Sequence, residues 1–125
     1  MAGSHRLAQN LFRESGRERF RSADARRALI AKHEWMKELC SRKPTGDRIA
    51  RLMKATTLVD GVEVRVVEMT GEAGDVFLTH PLTLHAGTQN CAAAPRMVLS
   101  TTVYRANFDW RTLYTGAGQK DLSPG

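Results

Sequence analysis

The sequence predicts an α+β fold, helices first and short antiparallel strands after, in one domain over residues 1–125. Three observations carry this. Apolar residues recur at helical spacing up to about residue 55, then alternate with polar ones from Asp60. Charge divides near the same boundary: residues 1–54 hold 14 Lys and Arg against 6 Asp and Glu, whereas residues 55–125 hold 5 against 7. Breaker segments separate the blocks, Ser41–Gly46 (SRKPTG) before the second long helix and Thr70–Gly74 (TGEAG) between strands. The predicted division is mostly helical over 1–59, strands over 60–106 and a tail over 107–125.

Residues 7–15 suit a short helix. Residues 22–40 (SADARRALIAKHEWMKELC) read as one continuous helix. Ser22 is placed as its N-cap and Asp24 suits its first turn, where a carboxylate meets unpaired N–H groups. Ala25, Ala28, Leu29, Lys32, Trp35, Met36 and Leu39 form a mostly apolar stripe, so Trp35 and Met36 are assigned to the core. A further helix is predicted over Asp47–Ala55, with Ile49, Leu52 and Met53 on one side.

Asp60-Gly61 is a turn signal. Val62, Val64 and Val66 alternate with Glu63 and Arg65, the pattern of a half-buried strand. Asp75–Thr79, Thr83–Ala86 and Arg96–Arg105 complete a set of four predicted strands. Phe108, Trp110, Leu113 and Tyr114 are expected to cover a core edge, and the final residues to be loose.

Composition narrows the functional classes. At 42% apolar and 26% charged residues the chain is typical of globular proteins. It holds no apolar run of about 18 residues to span a membrane, and its N-terminus lacks the apolar core of a secretory signal. Cys40 and Cys91 form no CxxC pattern and read as reduced thiols of a cytoplasmic protein. The basic half, balance +8, suits an anionic partner or an ordinary solvated helix surface. Nucleic acid is the less favoured partner, because no zinc finger, RNP aromatic motif or basic region with heptads is present.

The densest chemistry lies in Gly74–Arg96, GDVFLTHPLTLHAGTQNCAAAPR. A neutral imidazole suits a divalent iron, and an arginine is a forked donor matched to a carboxylate. On spacing alone, a hairpin in which His85 and Arg96 merely pack or hydrogen-bond is the favoured reading.

The segment nevertheless resembles the C-terminal motif of the phytanoyl-CoA dioxygenase family. That motif reads GD, three apolar residues, one variable residue, HP, three variable residues, H, four variable residues and N, with an arginine eleven residues beyond the second histidine. Here these are His85, Asn90 and Arg96. Ala2–Arg6 (AGSHR) is similar to the family's GSHR segment, which ends an earlier strand. The resemblance implies a partial double-stranded β-helix, jelly-roll or cupin-like, with N-terminal helices. It also implies an Fe(II)- and 2-oxoglutarate-dependent dioxygenase that hydroxylates a small organic or acyl substrate while 2-oxoglutarate is decarboxylated to succinate. His85 would be the distal iron ligand and Arg96 the partner of the far 2-oxoglutarate carboxylate. Ser100, on the same face of the predicted strand as Arg96, would add a hydroxyl to that carboxylate or simply be a strand residue. His80 belongs to the motif without being a ligand there, and a locally hydrogen-bonded histidine is expected.

One departure qualifies the expectation. The family's other two ligands come as His-x-Asp or His-x-Glu, and no histidine here is followed that way: His5 precedes Arg6-Leu7, His33 precedes Glu34-Trp35 and His80 precedes Pro81-Leu82. A facial triad needs three protein ligands. The chain is therefore expected to start partway through the family's fold and to be inactive alone. Bare sheet edges would invite a second copy or a complementing chain. The competing reading is a non-catalytic binding or scaffold module. Glu68, Glu72 and Asp75 read as ordinary turn carboxylates, and Cys91 as incidental because no activating base accompanies it.

Overall fold

A computed structural model describes residues 1–16, 21–43 and 46–109. Three helices lead: α1 (Ser4–Ser15), α2 (Ser22–Lys32) and α3 (Glu34–Leu39). A π-helical turn, Ile49–Lys54, follows, and then a two-stranded antiparallel sheet of β1 (Thr57–Val59) and β2 (Val62–Val64).

α1 begins three residues earlier than its apolar pattern suggested. Gly3 caps it in the left-handed region, φ 76°, and Gly16 closes it at φ 61°. Leu7 and the neighbouring Ala8, with Phe12 one turn beyond Ala8, are all buried. The AGSHR segment is therefore no strand end. Ala2 makes a single antiparallel bridge to Arg65, and Ser4 opens the helix. Gly3 is needed there twice over: its φ disfavours any side chain, and a Cβ would collide with the backbone carbonyl oxygen of Glu63.

The long helix over 22–40 is two helices. His33 takes an extended conformation, φ −122° and ψ 122°, between α2 and α3. Ser22 is the first helical residue rather than the N-cap, which is Arg21 without a side-chain cap bond. The stripe survives the break, with Leu29 and Met36 buried and Trp35 packed partly against the core. The predicted helix over Asp47–Ala55 is realised as the wider π-helical turn, whose Leu52 is buried.

Asp60 and Gly61 both adopt positive φ, 48° and 71°, as a two-residue hairpin loop of the mirror-image type requires. Thr57 pairs with Val64, Leu58 with Glu63 and Val59 with Val62. Val62 and Val64 are buried and Glu63 is exposed, the predicted alternation. Leu7, Leu29, Val59, Val62 and Val64 make the central cluster, with Met1, Leu11, Trp35 and Leu84 packed partly against it. Burying one such side chain contributes roughly 1.5–3 kcal/mol.

The expected α+β chain with a partial double-stranded β-helix is overturned. The described residues are mostly helical in their regular elements and contain one two-stranded sheet, not a jelly roll. Asp75–Thr79, Thr83–Ala86 and Arg96–Arg105 form no strands. Leu78 and Leu99 are 94% and 95% exposed, where a strand packed on a core would bury one face. The physical reason is the missing partner: alternation favours a strand only when a neighbour supplies the ladder and a second layer covers the apolar face. The chain does turn where expected before Asp75, which holds the turn by accepting the Glu72 N–H at 2.9 Å. Pro81 ends no strand. It sits in a reverse turn closed by the Thr83 N–H donating to the His80 carbonyl at 2.8 Å. Phe108 stacks on Tyr104, whereas Trp110, Leu113 and Tyr114 lie outside the described residues.

Candidate functional site

His85 follows the His80–Thr83 turn on an exposed stretch. Its Nδ1 lies 2.9 Å from the Thr83 carbonyl oxygen. A carbonyl can only accept, so neutral His85 carries its proton on Nδ1 and leaves the Nε2 lone pair unprotonated. Metal-binding histidines are commonly oriented in this way. His80 has the opposite arrangement. Its Nδ1 accepts the Leu82 N–H at 3.1 Å, so in the neutral ring the proton sits on Nε2. Of the motif's two histidines, His85 alone offers an imidazole lone pair while keeping its local hydrogen bond. His80 is locally hydrogen-bonded as expected, though in a turn and not at a strand end.

The Arg96 guanidinium folds back onto Thr88, with Nη1 donating to Thr88 Oγ1 at 2.9 Å and Nη2 to the Thr88 carbonyl at 2.6 Å. Within the same loop, Asn90 Nδ2 donates to the Ala94 carbonyl at 2.7 Å and its Oδ1 accepts the Ala92 N–H at 3.2 Å. Thr88 thus presents two oxygens to the fork, as a carboxylate would. The hydrogen bonds of His85 and Arg96 stay within residues 83–96 and do not join the two side chains. Ser100 is exposed and shares no hydrogen bond with Arg96.

Among the described residues, no group of three or more His, Cys, Asp and Glu side chains is placed to hold a metal ion. His85 by itself does not make an iron centre, and two further ligands would have to come from elsewhere. Cys40 and Cys91 are free and exposed. No helix among the described residues is long and apolar enough to cross a membrane.

Two clusters were not visible in the sequence pattern. In one, Ser4 is wholly buried. Its hydroxyl donates to the Met1 carbonyl at 2.7 Å and accepts the Leu84 N–H at 2.9 Å. The Met1 amino group donates to the Leu84 carbonyl at 2.9 Å. Beside them the His5 and His80 rings lie 4.8 Å apart, tilted by 34°. The resemblance of AGSHR pointed to these residues but gave them a strand's role.

In the other, Lys32 Nζ joins Glu14 at 2.8 Å and Asp60 at 2.9 Å, and buried His33 places Nε2 3.4 Å from Asp60. The hydrogen bond from Lys32 holds the Asp60 carboxyl below its ordinary range, and the bonds to Glu14 and then Asp60 hold the Lys32 ammonium above its own. This network ties α1 and the α2–α3 junction to the hairpin loop. No protein-family model matches the chain, and neither a curated protein nor a solved structure is found similar to it.

Proposed function

We propose that this chain supplies part of the cofactor site of an Fe(II)- and 2-oxoglutarate-dependent dioxygenase related to the phytanoyl-CoA dioxygenase family. In this reading His85 is one iron ligand and Arg96 receives the far carboxylate of 2-oxoglutarate. The observation that carries it is the tautomer arrangement: His85 keeps Nε2 free for a metal while His80 does not. The Arg96 fork, already closed on two oxygens of Thr88, would exchange them for a carboxylate at an exposed position. Iron and 2-oxoglutarate, when bound, would supply oxidative hydroxylation with dioxygen as the oxidant, one oxygen atom going to the substrate and the other to succinate as carbon dioxide is released. With one protein ligand from this chain, activity requires two more from a complementing polypeptide that carries the absent His-x-Asp or His-x-Glu pair. The hydroxylated substrate is a small organic or acyl molecule, in line with the resemblance.

Line broadening by Mn(II), a stand-in for Fe(II), tests the assignment in nuclear magnetic resonance spectra of the four histidine rings. His85 is expected to broaden first and His85→Ala to abolish the effect. Broadening that begins at His80, or survives His85→Ala, removes the metal role. Tight one-to-one iron binding by the isolated chain would show that the ligand count is wrong.

A non-catalytic binding module is the second reading, and one observation favours it. Val76, Leu78, Met97, Val98, Leu99 and Val103 are all at least 78% exposed, apolar side chains of the kind that a partner would cover. A folded chain that gives neither histidine broadening nor Fe(II)- and 2-oxoglutarate-dependent succinate would favour this reading.

A further inference from the structure

The turn His80–Leu84 is fastened to the first turn of α1 by contacts of two kinds. One is the buried Ser4 hydroxyl between Met1 and Leu84. The other is the His5–His80 ring pair, 4.8 Å apart. Leu84, half-buried against the central cluster, completes the attachment. We propose that this contact is an acid-released clasp: protonation of His80 detaches residues 80–84, and with them the stretch carrying His85, from the helical body.

The chemistry acts in one direction. While clasped, His80 Nδ1 accepts the Leu82 N–H, and a protonated Nδ1 would turn a second N–H toward it. The groups facing the ring add nothing to balance the new charge. They are the His5 imidazole, Arg6 acting on His5, and the Met1 amino group bonded to Leu84 beyond the turn. Among the described residues, no carboxylate is ion-paired or hydrogen-bonded to either ring. Burial lowers the pKa of His80, and burial followed by the charges of His80 and Arg6 lowers that of His5, both from an ordinary 6.5.

The sign follows. The released ring titrates near 6.5 and the clasped ring lower, so between these values the released state binds more protons. The clasp is at full strength above about pH 6.5, weakens as pH falls through this interval and loses nothing further below it. Each unit by which the clasped pKa is depressed shifts the clasp equilibrium about tenfold.

Amide hydrogen exchange of the full chain between pH 8 and 5, corrected for intrinsic rates, reads the clasp at Leu82 and Leu84 and the helical body at Leu29. Protection at Leu84 is expected to fall several-fold below pH 6.5 while Leu29 holds. His80→Asn is expected to keep Leu84 protected throughout, because an asparagine oxygen can accept the same N–H without titrating, as Asn90 does for Ala92. In Ser4→Ala the clasp is open at all pH and His80 titrates near 6.5. Flat Leu84 protection in the wild type, the same acid loss in His80→Asn, or simultaneous loss at Leu29 and Leu84 would each overturn the proposal.

Discussion

The Leu84 N–H donates to the Ser4 hydroxyl at 2.9 Å across eighty residues of chain. Ser4 is wholly buried, so its Oγ satisfies the Leu84 N–H and the Met1 carbonyl with no water at hand. Ser4→Ala removes the partner shared by both groups and opens the clasp. The expected loss is about 1–3 kcal/mol, read from urea unfolding. A loss under about 0.5 kcal/mol would mean that the hydroxyl is not the fastening point.

Gly3→Ala is expected to be more damaging. The residue sits at φ 76°, where a Cβ alone carries a penalty of roughly 1–2 kcal/mol. The added methyl also meets a backbone carbonyl, that of Glu63, which cannot rotate away as a side chain would. Separation of α1 from β2 should follow, with a total loss above about 2 kcal/mol. A stable Gly3→Ala protein with wild-type melting would contradict the contact between α1 and β2.

Asp60→Asn separates charge from conformation, because asparagine also tolerates the positive φ of this position. The wild-type Asp60 pKa is lowered, chiefly by its bond to Lys32. Its stabilising contribution is therefore present above the ordinary value of 3.8 and lost as pH falls through the lower folded value. Lys32, with a raised pKa, contributes fully below 10.5 and loses its share as pH rises through its folded value. The variant is expected to be less stable than wild type at pH 6 and to match it well below pH 3.8. An unchanged gap at low pH would show that the network acts through shape alone.

How far these elements were legible differs from place to place. Asp60-Gly61 announced its turn because only a few residue types accept two positive φ values in succession, whereas β1, whose three residues carry little pattern of their own, was missed inside the block predicted to be mostly helical up to residue 59. Leu29 and Met36 were readable because one helical face must be apolar. The break at His33 was not, since neither proline nor glycine marks it and His33 is turned to Asp60, 27 positions away. The strands were misread because alternation records what a segment can do beside a partner, not whether one is present. At the site, the motif named His85 and Arg96. The tautomers that distinguish His85 from His80 depend on Thr83 and Leu82 backbone atoms, which no side-chain pattern reveals.

Arg96→Gln tests the cosubstrate role apart from stability. The side chain is exposed and bonded only to Thr88, so its loss should change unfolding free energy by no more than about 0.5 kcal/mol. Binding of 2-oxoglutarate in the presence of Mn(II), measured by titration calorimetry, should disappear, and Arg96→Lys should not restore it because an ammonium lacks the fork. Retained binding in both variants would remove Arg96 from the site.

The overturned fold gives the sharpest contrast, between Leu29 and Leu99. Leu29 is 1% exposed at the centre of the cluster, and Leu99 is 95% exposed on a stretch with a strand's sequence. Leu29→Ala opens a cavity between α2 and the hairpin and should destabilise the protein by about 2–5 kcal/mol. Leu99→Ala removes atoms that water already surrounds, so its effect should stay within about 0.5 kcal/mol of zero. A jelly roll would pack Leu99 or its neighbour Val98 between two sheets and penalise truncation of one of them as heavily as that of Leu29. Melting curves of Leu29→Ala, Val98→Ala and Leu99→Ala at one protein concentration decide between the two architectures. Losses confined to Leu29→Ala support the helical body with an uncovered extended segment. A loss of several kcal/mol in either strand-like variant would mean that residues 96–105 are packed as a sheet layer and would overturn the uncovered segment.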